Sequence, residues 1–142
     1  MIDERSPHAI CVDRWLAQTA KGMPAADLLR LFEAAIAALW TETKTTLGEI
    51  TLTAIVDRVL HNSVERFRLL SALTIDASGV QFVALREQLK DTHAAELRAG
   101  MRFVLIELLT VVGHLTAEIL TDELHTALIK VALVDPRKDK AS

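Results

Sequence analysis

The twenty residues from Met101 to Leu120, MRFVLIELLTVVGHLTAEIL, constrain the fold of this chain more than any other part. Thirteen of them are apolar, and the length suits a bilayer hydrocarbon core. Yet Arg102, Glu107, His114 and Glu118 interrupt the run. A large apolar residue favours insertion by roughly half a kcal/mol, whereas a charge near the centre opposes it by roughly 2.5–3.5 kcal/mol. Neither basic clusters nor Trp/Tyr belts mark the flanks. The segment therefore reads as the core helix of a water-soluble protein rather than as a membrane span.

What must surround such a helix follows from the composition. Hydrophobic residues make up 51 % of the 142, aromatics only 4 %, and tyrosine is absent. A core of Leu, Ile, Val and Ala favours helix-on-helix packing over an aromatic-rich sandwich. Five glycines and three prolines are too few for a loop-rich or disordered chain. A chain of this length forms one domain on the usual expectation and buries roughly two thirds of its unfolded surface, so neither metal nor disulfide is needed for stability. The domain is expected over 1–134, with the charge-rich 135–142 as a disordered tail.

Charge and cysteine usage exclude several classes. Sixteen Lys and Arg against nineteen acidic residues leave a net charge of −3, which attracts neither nucleic acid nor an anionic membrane. Cys11 is the single cysteine, so no intrachain disulfide forms. The start, MIDERSPHAI, lacks the apolar stretch of a secretory signal, and a reducing cytoplasm is the expected compartment.

Along the chain, Ser6 and Pro7 look like an N-cap and first helical residue of a modest helix stopping near Gly22. Pro24 opens a second helix to about Thr46, apolar through Leu28, Leu29, Phe32, Ala35, Ile36, Leu39 and Trp40. Its other side carries Ala34, Ala37, Ala38 and Thr41, small enough for another helix to approach closely. Gly48 breaks it. A third amphipathic helix is predicted over Thr51–Leu73, with Asp57, Arg58, His61, Glu65 and Arg68 on its polar face. Asp76-Ala77-Ser78-Gly79 is a turn signature, and a small β-ribbon or irregular insertion is expected near 74–82. A short helix over Val83–Lys90 follows. Thr92 or Asp91 then caps the long helix to Leu120, and Thr121 caps a last helix to about Leu133.

Three arrangements could carry chemistry. On the long helix, Glu96, Glu107, Thr110, His114 and Glu118 share one arc, read first as a solvated strip. Glu107, His114 and Glu118 are also a candidate ligand or metal stripe, since a carboxylate–histidine face resembles half of a di-metal bundle site. The Glu-x-x-His pair of such sites is missing, and one cysteine cannot supply a thiolate zinc site. On the third helix, Asp57, His61 and Glu65 stand four residues apart. Leu60-His61-Asn62 followed by Leu69-Leu70 resembles histidine phosphotransfer and kinase-dimerisation helices, which implies His61 as a phosphoacceptor. The basic and proline-bearing context after the histidine is absent, as is any nucleotide-binding half. Thr51–Val56 is superficially similar to the start of a helix-turn-helix, but Val59-Leu60-His61-Asn62 supplies no turn.

No Gly-x-Ser-x-Gly elbow, phosphate loop or His-Glu-x-x-His motif occurs, and no cofactor is implied. The expectation is an all-α single-domain bundle of five to six helices around a long apolar helix. It would serve as a non-enzymatic regulatory or protein-interaction module in signalling. A long helix apolar nearly all round, or the alanine face of the second, would be shared in a homodimer, with a signalling protein as a further partner.

Overall fold

A computed structural model of the chain describes residues 4–132. Within them lie α1 (Pro7–Thr19), α2 (Ala25–Leu47), α3 (Glu49–Arg66), the ribbon β1 (Thr74–Asp76) and β2 (Gly79–Gln81), α4 (Val83–Gln88), α5 (Ala94–Leu115) and α6 (Thr121–Ile129). The all-helical class and the small ribbon are as the sequence predicts. The tail proposed for 135–142 lies outside the described residues.

Local chemistry sets several of the helix ends. The Ser6 hydroxyl accepts from the Ala9 N–H at 3.0 Å, and Pro7 stands at the first helical position, so α1 starts where its unpaired N–H groups are satisfied. Gly48 alone joins α2 to α3, at φ +81°, a conformation that a side chain would oppose. The turn between β1 and β2 is held by Asp76, whose carboxylate accepts from the Ser78 N–H at 2.8 Å. The strands pair antiparallel with Ile75 opposite Val80. Two contacts seat the ribbon on α2: Gly79 lies over the Trp40 ring, and Phe82 meets Phe32 edge-on at 5.5 Å. A two-stranded ribbon of three residues a strand, marginal alone, is thus held by a helix.

Two helix boundaries differ from those the sequence suggests. α3 stops at Arg66, where Phe67 turns extended, and a 3-10 turn over Arg68–Ala72 follows. That break lets Phe67 reach Phe103 and drives the fully buried Leu70 onto Gly100 of α5, where even one added methyl would crowd it. Before α5, neither Thr92 nor Asp91 caps the helix. A 3-10 turn over Asp91–His93 leads in, with the His93 ring accepting from the Lys90 N–H at 3.0 Å.

α5 occupies the centre, with α1, α2, α3 and α6 around it. Leu97, Met101, Val104, Leu105, Ile106, Leu108, Leu109 and Val112 are all buried, and every residue of α5 from Gly100 to Gly113 is buried or half-buried. One chain therefore covers α5 on its own; sharing it between two subunits is not required to remove it from water. None of the helices is long and apolar enough to cross a membrane among the described residues.

The polar residues at the margin of α5 find partners on α1. Arg98 donates to the Ala20 carbonyl at 2.9 Å, satisfying the end of α1. Arg102 pairs with Asp13 at 2.6 Å and with Glu4, and these carboxylates hold its guanidinium charged more firmly than usual. The Trp15 indole N–H reaches the Val131 carbonyl at 2.9 Å, tying the same helix to the end of α6.

Candidate functional site

The expected stripe on α5 is not a stripe. α5 ends at Leu115, and Glu118 lies in the turn beyond it, so Glu107, His114 and Glu118 do not share a helix face. Glu107 instead sits over a small cleft between α3 and α5, of about 210 Å³, beside Arg58, Asn62 and Val111. Among the described residues, no three His, Cys, Asp or Glu side chains come together as a metal-binding group. His61 is exposed on α3, as are Asp57 and Glu65 on either side of it. On α2, Ala37 and Thr41 are exposed and Ala34 and Ala38 half-buried. Ala34 and Ala37 floor an open cleft of about 570 Å³ walled by Arg30, Glu33 and Arg86, the last two ion-paired. A second cleft of about 320 Å³ continues past Thr41 to the ribbon.

The structure assembles a different polar cluster, at the corner where α5 turns into α6. Its construction begins with backbone. Ala117 and Glu118 adopt φ of +51° and +63°, left-handed conformations that oppose a side chain by roughly 1–2 kcal/mol each. The Glu118 N–H bonds the Gly113 carbonyl at 2.8 Å, closing the corner. This reversal folds the Glu118 side chain back over α5, directly against Gly113. A Cβ at position 113 would collide with both carboxylate oxygens. Gly113 leaves room for the carboxylate to lie against α5, although its own backbone is helical; a side chain there would displace it.

Three groups then converge. The Thr121 hydroxyl, at the first position of α6, donates to one Glu118 oxygen at 2.7 Å. The sequence suggests this threonine as a helix cap; its hydroxyl is instead engaged by the carboxylate, and α6 has no side-chain cap. The other Glu118 oxygen lies 3.2 Å from His8 Nε2. His8 Nδ1 in turn lies 3.0 Å from Nε2 of His125 on α6. His8 is 4 % exposed, one of three buried polar residues among those described. His125 is half-buried, and the Glu118 side chain about half exposed.

The tautomers follow from the partners. An ionised carboxylate only accepts, so Nε2 of His8 carries the proton. When His8 is neutral, its Nδ1 accepts and the His125 Nε2–H donates. The Glu118 carboxyl is held below its ordinary value, first by the Thr121 hydroxyl, then by His8, with the positive field of His8 and His114 adding to them. His125 is held below its ordinary value by burial and by repulsion from His8, against the opposing pull of Asp122 and Glu118. Chemically this is a carboxylate–imidazole–imidazole chain leading from a solvent-facing acid through a buried ring to a half-buried one.

His8 and His125 stand out in the sequence only in retrospect. His8 lies on the buried face of α1 with Ala9, Val12, Trp15 and Leu16, and a histidine in an apolar stripe needs partners inside the fold. Nothing in one sequence pairs it with a residue 117 positions away. The chain matches no protein-family model, no curated protein and no solved structure.

Proposed function

We propose that this chain is a non-enzymatic regulatory and protein-interaction module that acts through helical self-association, in a cytoplasmic signalling setting. One observation carries the reading: on the small-residue side of α2, Ala37 and Thr41 are exposed and Ala34 and Ala38 half-buried, while α5 is buried or half-buried from Gly100 to Gly113. Alanines allow backbones to approach closely, so a second helix can seat on Ala34, Ala37, Ala38 and Thr41 without displacing bulk. The flanking Arg30, Glu33 and Arg86 supply a polar rim of the kind that surrounds protein interfaces. Sedimentation velocity at micromolar concentration tests it. Self-association that Ala37→Arg abolishes, with helicity intact, supports the reading; a monomer at every concentration removes it.

A second reading is phosphotransfer through His61. It is supported by the exposure of that ring on a long helix between two exposed carboxylates. Acid-labile phosphate on incubation with a histidine kinase, lost in His61→Ala, would replace the first reading with this one.

A further inference from the structure

His8 joins three elements: α1, which carries it, the α5–α6 corner through Glu118, and α6 through His125. The titratable groups that act within this cluster are Glu118 at the corner, His114 at the end of α5, and His125 and Asp122 on α6. The ring pair is edge-on, centroids 5.1 Å apart at 87°, so a nitrogen of each ring is aimed at the other.

Such a contact counts protons. With no proton added, His125 donates to His8. With one added, His8 donates from both nitrogens and His125 accepts, so the bond survives with its direction reversed. With two added, an N–H on each ring points at the other across 3.0 Å. Two donors cannot bond, and the two positive charges repel in a partly desolvated place.

We propose that the His8–His125 contact is a proton-operated latch, closed while the two rings share at most one added proton and opened by the second. Burial first, and repulsion from His8 second, lower the proton affinity of His125. Opening is local. The half-buried His125 can swing toward solvent, whereas Trp15 bonded to Val131 and Arg102 bonded to Asp13 retain the rest of α1. The segment released is therefore the start of α1 ahead of Asp13, between the two carboxylates that Arg102 holds, Glu4 and Asp13, and its release exposes the buried Ala9 and Val12.

Amide hydrogen exchange read by NMR, with ring nitrogen shifts of both histidines, tests this between about pH 7.5 and 5 in the whole protein. The expected result is a fall of about tenfold or more in the protection factors of α1 ahead of Asp13, with α2 and α3 unchanged. His125→Phe keeps a ring edge in the contact but removes the nitrogens, and should flatten the profile. His61→Ala, remote on α3, should leave it as in the parent. Uniform protection across the range, or the same loss in His125→Phe, would overturn the proposal. So would ring shifts showing that the two histidines titrate independently.

Discussion

Glu118 and Gly113 occupy one volume: the carboxylate lies where a Cβ on residue 113 would stand, and the backbone between them closes through the Glu118 N–H bonded to the Gly113 carbonyl. Everything that His8 does at the corner depends on that coincidence, since only a Glu118 folded back over α5 reaches the buried ring. The cluster is thus built from a missing methyl group as much as from the polar side chains.

Gly113→Ala should therefore behave unlike an ordinary helical glycine replacement. Alanine in mid-helix gains about 0.5–1 kcal/mol over glycine. Here the added methyl displaces the carboxylate from His8 and Thr121, so a net loss of stability at neutral pH is expected. In a Glu118→Ala background the collision is gone, and the same change should stabilise. Urea unfolding of the four proteins in this cycle checks the reversal of sign; two losses of equal size would refute it.

Ala117 holds its left-handed conformation at a cost that glycine would not bear. Relief of about 1–2 kcal/mol, less about 0.4–1 kcal/mol for the greater freedom of an unfolded glycine, leaves a gain of about 0.8 kcal/mol for Ala117→Gly. A lower denaturation midpoint for this variant would show that the turn is not held as described.

Stability should fall in two steps as the solution is acidified. Folding lowers the pKa of His125 from an ordinary 6.5, so the unfolded chain binds more protons in that window. Its contribution is complete above 6.5 and is lost as the pH falls toward the folded value. The Glu118 carboxyl is likewise lowered from 4.5, so its contribution is present above that value and lost on further acidification. Because that side chain is half exposed, salt should weaken the second step. Denaturation midpoints at about pH 7.5, 5.5 and 4, with and without added salt, compare parent with His125→Phe, which should lack the first step.

Leu105 is fully buried in α5. Leu105→Ala should cost about 2–5 kcal/mol, whatever the protein concentration, because its surroundings come from the same chain. A cost that shrinks on dilution would place this helix in an interface between copies instead.

Much of the helical layout is legible in the residues themselves. Ser6-Pro7, Pro24 and Gly48 act within one turn of their own positions, and the Asp76–Gly79 turn closes through its own aspartate, so local pattern suffices to place them. The apolar run from Met101 likewise announces a core helix, because burial of that many large side chains has no other outcome in water. The same continuity hid where that helix ends. Apolar period alone carries it to Leu120, yet the left-handed pair Ala117 and Glu118 stops it at Leu115, a conformation sustained by contacts with Gly113, His8 and Thr121. α3 is shortened in the same manner by the demand of Gly100 for Leu70.

What the sequence by itself determined, then, is the helical class, the central helix and the turns whose chemistry is complete within a few residues. Only the tertiary structure decided that Glu118 leaves the stripe it shares in sequence with Glu107 and His114, and that His8 and His125 meet. The reason is physical. Periodicity reports which face of one helix is buried, whereas a hydrogen bond between α1 and α6 depends on how two helices are set against a third, and that arrangement is fixed by the packing of the whole core.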